Sequence, residues 1–113
     1  ITPRVVVLEY NNLWGAEHAV TVPYKPDFRT EYNQFGADYC GASLPAFVKL
    51  GREKGYRLVG CQNYNFNAFF VRSGISEDIF PEISVSKCFE HPVAQYAMHN
   101  RLARVVDREW VRV

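Results

Sequence analysis

The sequence predicts a small α/β fold with a mixed sheet, and three observations carry this prediction. Residues 5–10 form a nearly unbroken run of apolar, mostly β-branched side chains, as in a strand that is covered on both faces. Residues 43–55 place apolar side chains at helical spacing and end at a glycine. Two further strand-like runs follow, 56–61 and 67–72. We expect either a two-layer or a three-layer arrangement of these elements.

The first strand is expected over Val5–Tyr10, and Glu9 is its one charged residue. Two asparagines and a glycine follow and favour an end to the strand. Residues 15–41 are then long and irregular, apart from a short extended piece that stops at Pro23. Such a loop is either functional, as a lid on the substrate side, or a packed structural excursion. The sequence leaves both alternatives open.

The helix is expected to begin at Ser43, whose hydroxyl can accept a hydrogen bond from a free N–H of the first turn. Pro45 is tolerated there because those N–H groups have no partner inside the helix. Leu44, Phe47 and Val48 give the helix an apolar face. Gly55 is well placed to end it in the left-handed conformation.

The two later strands are expected to form an antiparallel hairpin. Only residues 62–66 separate them, and this segment is too short for a crossover helix. The first strand is joined to the next one through a helix, which is typical of a parallel crossover. We therefore predict a mixed sheet that contains a parallel strand pair and an antiparallel hairpin strand.

The C-terminal part, residues 73–113, is predicted to extend an α/β core formed by residues 1–72. Residues 76–86 are expected to be irregular, with a break at Pro81. Pro92 is suited to open a helix over 92–106, with Ala94, Met98, Leu102 and Val105 on one face. The length of 113 residues fits one domain.

Composition and charge narrow the possible classes of protein. The chain is 48% hydrophobic and 15% aromatic, which is enough to build a core. Its net charge of +1 gives no electrostatic argument for a nucleic-acid partner. No apolar run approaches the roughly 20 residues of a membrane span. Three cysteines at unrelated spacings do not suggest a disulfide framework, so we expect a cytoplasmic protein.

Two groups of polar residues are the candidate site. Glu9 and Asn11 are expected at the carboxyl end of a parallel strand, where open α/β sheets bind ligands, and we assign them to catalysis. A buried Glu9 would orient a substrate or act as a base, although a Glu paired with a nearby Arg is the alternative. Asp38, Tyr39 and Ser43 precede and cap the helix on the same side, and we assign them to substrate binding. Capping alone also accounts for Ser43.

Other conspicuous residues have plainer explanations. The three histidines share no spacing, and Cys88 with His91 lacks a second ligand pair, so we predict no metal site. Acidic residues interrupt a basic stripe on the predicted tail helix, which favours a solvated helix face over phosphate binding. The stripe consists of Arg101, Arg104 and Arg108. Core packing explains an aromatic cluster better than base stacking does, and its members are Tyr64, Phe66, Phe69 and Phe70.

Three segments carry a resemblance to a known family: VVVLEYN, YCGASLPAFVKLGREKGYRLVGCQ and NAFFVR. They resemble the C-terminal half of FkbM-like methyltransferases, which are S-adenosylmethionine-dependent enzymes with a Rossmann-like fold, and of related bacterial proteins. The resemblance covers Pro3 to about Arg72. It implies that the last strand inserts antiparallel between its two predecessors.

The resemblance also implies what this chain lacks. In that family the cofactor is held mainly by the first strand and a Gly-rich turn, and no such turn with a strand and a helix on either side occurs here. S-adenosylmethionine is therefore a cofactor by resemblance only, and we expect no activity from this chain alone. The first alternative is a stand-alone oligomerising or binding module derived from the fold. The second is a small enzyme with a site around Glu9, Asp38 and Tyr39.

The resemblance further suggests a partner. Without the first half of the fold, the strand at Val5–Tyr10 would lack a neighbour, and an exposed apolar edge is a template for pairing. We expect pairing along this strand, either with a second copy or with a separate chain that carries the cofactor half.

Overall fold

The computed structural model describes all residues of the chain, 1–113, as an α/β fold with two helices and two antiparallel sheets. In chain order the elements are β1 (Val5–Glu9), β2 (Val20–Thr21), α1 (Leu44–Glu53), β3 (Tyr56–Cys61), β4 (Asn67–Arg72), α2 (Pro92–Asn100) and β5 (Val111–Arg112). Short 3-10 helices span Val85–Phe89 and Leu102–Arg104. The predicted α/β class is confirmed at this level.

The main sheet has the strand order β1-β4-β3, and both of its pairings are antiparallel. The predicted parallel strand pair is therefore wrong, because no two neighbouring strands run in the same direction. The reason lies in the hairpin, whose turn brings β4 back beside β3. β1 then pairs with the other edge of β4, where Val6 lies opposite Phe70. β1 and β3 point the same way, but β4 separates them.

The main core lies on one face of this sheet. Leu58 and Phe70 from the sheet pack with Leu44 and Val48 of α1 and with Ala94 of α2. Because both helices cover the same face, the main sheet and its helices form two layers. Residues 73–113 complete the core rather than append to it, since Cys88, Phe89 and Ala94 belong to the same cluster.

The ends of α1 follow the sequence signals. Ser43 is fully buried, and its Oγ accepts hydrogen bonds from the N–H groups of Ala46, at 3.4 Å, and Val20, at 3.0 Å. Gly55 follows the last turn with a φ of 82°, a conformation that a residue without a Cβ adopts at little cost. The predicted N-terminal cap and C-terminal glycine of the helix are confirmed.

The predicted helix over 92–106 is too long, because α2 ends at Asn100. The side chain of Asn100 donates a hydrogen bond to the carbonyl of Tyr96, and Arg101 leaves the helix with a φ of −106°. This departure lets the guanidinium of Arg101 reach Asp38. Buried Ala94 and Ala97 face inward from the residues that do form the helix.

A second, smaller core joins the long loop to the C-terminus. Leu13 and Tyr39 pack there with Ala97 and Val105, and Trp110 covers them. β2 and β5 pair antiparallel beside this cluster, with Val20 opposite Arg112. Part of the loop over residues 15–41 is therefore packed against the C-terminal segment, as the alternative of a packed structural excursion predicts. No helix of the structure has the length and apolar character needed to cross a membrane.

Candidate functional site

A cleft of about 550 Å³ opens where β1 ends. Some of the predicted site residues line this cleft, and others lie outside it. The strand end supplies residues 9–13 to its wall, and the long loop supplies the opposite side. The β3–β4 turn and α2 close it. The lining side chains that the argument uses are Glu9, Asn11, Tyr32, Cys40, Tyr64 and Arg101.

Asn11 fixes the shape of the cleft wall. Its Nδ2 donates to the backbone carbonyls of Asp38, at 2.8 Å, and Cys40, at 3.1 Å. Its Oδ1 accepts from the N–H of Leu13 at 3.0 Å. The side chain is buried and its hydrogen-bonding groups are occupied by backbone, so Asn11 positions the loop rather than offering a free group to a ligand.

Asp38 lies beneath the cleft and is 1% exposed. Its Oδ1 accepts hydrogen bonds from Nε of Arg101, at 2.9 Å, and from Nη2 of the same guanidinium. Its Oδ2 accepts from Nδ2 of Asn33 at 3.1 Å. The carboxylate is thus paired and hydrogen-bonded, as a buried charge requires. It anchors the loop to the end of α2 and has no free oxygen directed at a substrate.

Tyr39 and Ser43 do not line the cleft. The Tyr39 hydroxyl donates to the backbone carbonyl of Glu109, and its ring meets Trp110 edge-on at 5.1 Å between centroids. The hydroxyl of Ser43 caps α1 and donates to the carbonyl of His18 at 2.6 Å. Both side chains hold the second core and the helix start in place.

Glu9 is exposed, which corrects the expectation of a buried carboxylate at this position. It lines the cleft and forms no ion pair, so the alternative of a Glu paired with Arg is also wrong. Arg101 lines the same cleft, but Asp38 neutralises its charge. The unbalanced charge in the cleft is therefore that of the Glu9 carboxylate, and the cleft favours a cationic or hydrogen-bond-donating ligand.

Aromatic rings form much of the remaining wall. Tyr32 and Tyr64 are 80% and 70% exposed, and Phe35 and Phe66 stand beside them. The prediction that the cluster around Tyr64 serves core packing holds for Phe70 alone, since Phe66 and Phe69 are also exposed. Exposed rings around a cleft provide flat apolar surface for a ligand that carries a ring.

The arginines of the C-terminal segment are engaged within the chain. Arg104 lies over the ring of Phe35, 3.9 Å from its centroid. Arg108 pairs with Glu31 at 3.2 Å, which lowers the pKa of that carboxyl through a hydrogen bond and charge attraction. Arg101 pairs with Asp38. These three side chains do not form a common phosphate-binding face.

Cysteine chemistry does not supply a nucleophile to the cleft. Burial, followed by the nearby Asp38 and Glu9 carboxylates, raises the pKa of the Cys40 thiol above its usual range. A thiol with a raised pKa stays protonated at neutral pH and is a poor nucleophile. Burial likewise raises the pKa of Cys88 in the main core. No group of three or more histidine, cysteine or acidic side chains is arranged to hold a metal ion.

The residues present do not fit S-adenosylmethionine as a complete site. A Rossmann-like cofactor site needs a Gly-rich turn between a strand and a helix. Here Gly41 and Gly55 have open space around them and lie before and after α1, whereas Gly51 packs inside α1 against the ring of Phe70. No turn of the chain combines these glycines into a cradle. We therefore derive no methyl-transfer step for this chain alone.

Sequence reasoning missed several residues of the cleft. Arg101 lines the cleft although its sequence pattern predicts a solvated helix face, because its contact with Asp38 spans 63 residues. Tyr32 lines the cleft from the long loop, where no sequence pattern marks it. Comparisons with protein-family models, with curated proteins and with solved structures each found no match.

Proposed function

We propose that this chain corresponds to the C-terminal, substrate-side half of a Rossmann-like methyltransferase fold and is not active alone. The observation that carries the proposal is the strand order β1-β4-β3, with β4 antiparallel between two strands that point the same way. That order is the one which the sequence resemblance implies. α1 connects the two outer strands, as a crossover helix does.

The cleft provides the binding part of the proposed function. It lies at the carboxyl end of β1 and beside the start of α1, which is where the complete parallel sheet of the proposed fold would bind its ligand. Its free carboxylate, from Glu9, and its exposed rings, from Tyr32 and Tyr64, suit a small molecule that carries an amine and a flat ring. Tight fixing of the wall by Asn11 and Asp38 gives such a ligand a preformed site.

Two titrations test the proposal. Titration with S-adenosylmethionine, followed by calorimetry, is expected to give no saturable binding, because the cofactor cradle is incomplete. In a second titration, small aromatic amines are added while amide and side-chain NMR signals are recorded. We expect the signals of cleft residues to shift, and we expect the amines to bind more weakly to Glu9→Gln. Asp107→Asn, at an exposed position outside the cleft, is the matched control and should change nothing.

The outcomes separate the two parts of the proposal. Saturable S-adenosylmethionine binding with methyl transfer would contradict an inactive half. Amines that bind away from the cleft, or equally well to Glu9→Gln, would contradict the assigned ligand site.

A stand-alone binding module is the second candidate, and the unpaired edge of β1 favours it. Co-expression of this chain with a separate chain that carries a cofactor-binding Rossmann half distinguishes the two candidates. Complex formation with S-adenosylmethionine binding favours the half-enzyme. A chain that forms no complex with that partner favours the module.

A further inference from the structure

The free edge of β1 offers a complete set of backbone hydrogen-bonding groups. The N–H of Tyr10 donates to Phe66 at 2.8 Å, and the carbonyl of Arg4 accepts from Arg72 at 2.9 Å, so the even-numbered residues bond to β4. In an antiparallel pair these residues alternate with others whose groups point away from the partner strand. Val5, Val7 and Glu9 therefore direct their N–H and C=O groups to the open edge.

The surfaces on either side of this edge are mostly apolar, with one charged residue each, Glu9 on one face and Lys54 on the other. Val5 and Val7 are 55% and 54% exposed on one face, and Phe69 lies opposite Val7 on the same face. On the other face a groove of about 120 Å³ runs between β1 and α1, and its walls include Val6, Leu8, Phe47 and Leu50. Strand edges that remain unpaired in solution usually carry a proline, a charged side chain or a bulge. β1 has no proline, lysine or bulge, and its single charged residue is Glu9 at its end.

We propose that β1 pairs antiparallel with β1 of a second copy of this chain, about a two-fold axis that passes through Val7. Such an axis is perpendicular to the sheet, so each face of one copy continues into the same face of the other. Residues that lie opposite each other must then share a face. Val7 faces Val7 of the second copy, Val6 faces Leu8, and Val5 faces Glu9.

This register is favoured because it leaves no edge group unpaired. Val5 exchanges both of its hydrogen bonds with Glu9 of the second copy, and Val7 exchanges both with its own equivalent. A shift by two residues in one direction places Pro3 opposite Glu9, and Pro3 has no N–H to donate. A shift in the other direction requires the N–H of Asn11, which already donates to Ala42 at 2.7 Å.

A second copy suits the edge because the strand is complementary to itself in this register. The paired sheet would have six strands, and the apolar grooves beside α1 would meet across the axis. Pairing of a five-residue strand buries less surface than a standard protein interface. We therefore expect a dimer that dissociates on dilution through the micromolar range, and its formation does not depend on any ligand in the cleft.

Charge substitutions at Val7 test both the edge and the register. Val7→Lys and Val7→Glu each place like charges opposite each other on the axis, and each is expected to weaken dimerisation by about tenfold or more. Because the two charges attract in a mixed pair, mixing the variants is expected to restore a dimer that contains one copy of each. Val106→Lys, at an exposed valine in the C-terminal segment outside the main sheet, is the matched control and should leave the dimer unchanged.

The measurements are light scattering during size-exclusion chromatography and native mass spectrometry of the mixture. Far-ultraviolet circular dichroism checks that each variant is folded. A wild-type chain that stays monomeric at high micromolar concentration overturns the proposal and leaves the edge to a different chain. Dimers that persist in both variants exclude the edge, and variants that stay monomeric after mixing exclude the register through Val7.

Discussion

The buried ion pair beneath the cleft gives the sharpest stability prediction. Arg101→Ala removes the guanidinium and leaves the Asp38 carboxylate, 1% exposed, with a single remaining side-chain hydrogen bond, from Asn33. Breaking a buried pair in this way costs about 3–5 kcal/mol, because an uncompensated charge stays in the protein. The free energy of unfolding expected for a chain of this length is roughly 6–17 kcal/mol. The variant should therefore lose a substantial part of its stability.

The reverse substitution should cost less. Asp38→Asn removes the buried charge itself and leaves Arg101, whose side chain is 21% exposed and can turn towards water. We expect a loss of about 1–2 kcal/mol, mainly from weakened hydrogen bonds. In the double variant neither charge remains buried without a partner, so the coupling energy between the two positions should be about 2 kcal/mol.

Urea unfolding, followed by far-ultraviolet circular dichroism, measures these differences. Arg52→Ala is the matched control, because its partner Glu82 lies at a similar distance, 3.1 Å, but both side chains are largely exposed. An exposed pair of this kind should contribute less than about 1 kcal/mol. A loss in Arg101→Ala no larger than that in Arg52→Ala would refute the reasoning, as would strictly additive losses in the double variant.

Three further variants probe other parts of the fold. Arg57→Met should lower the free energy of unfolding by about 3 kcal/mol in urea, because the buried guanidinium donates to the carbonyls of residues 72, 75 and 80. A loss below about 1 kcal/mol would contradict this role. Gly15→Ala should lower the free energy of unfolding by about 2 kcal/mol in the same assay, since the φ of this residue is +67° and the added Cβ would lie 2.6 Å from Sδ of Met98. An unchanged midpoint of urea unfolding would contradict the strain. Burial raises the pKa of the Cys88 thiol in the folded chain above its ordinary value of 9.0. As the pH rises above that value, the thiol ionises in the unfolded chain but stays protonated in the folded one. The free energy of unfolding should therefore fall by about 1.4 kcal/mol per pH unit. Cys88→Ala should remove that part of the alkaline slope, and an identical slope in the variant would exclude the thiol as its source.

Local signals predicted the elements of this fold well. The serine before α1 and the glycine after it set the helix limits because both act through backbone groups within one turn. The strand at residues 5–10 and the hairpin likewise follow from apolar runs and a short polar turn. The pairing partner of β1 did not follow, because a strand carries no local mark of which edge it will meet.

The candidate site was predictable only where it coincides with a strand end. Glu9 and Asn11 were found because the carboxyl end of β1 is a position with a general role in α/β sheets. The pairing of Asp38 with Arg101 depends on where α2 stops, and the apolar pattern over 92–106 does not reveal the helix end at Asn100. Tyr39 and Ser43 have the residue types of a binding site but are used for packing and capping.

The hydrogen bonds that shape the cleft also determine when it can form. Asn11 and Asp38 are 27 residues apart, and Asp38 and Arg101 are 63 residues apart. Closing chain loops of these lengths carries an entropic cost that local helix or hairpin formation does not. During synthesis the hydrogen bonds of Asn11 can form early, but Asp38 lacks its ion-pair partner until Arg101 has left the ribosome. The ability to bind a ligand in this cleft should therefore appear only at the last stage of folding.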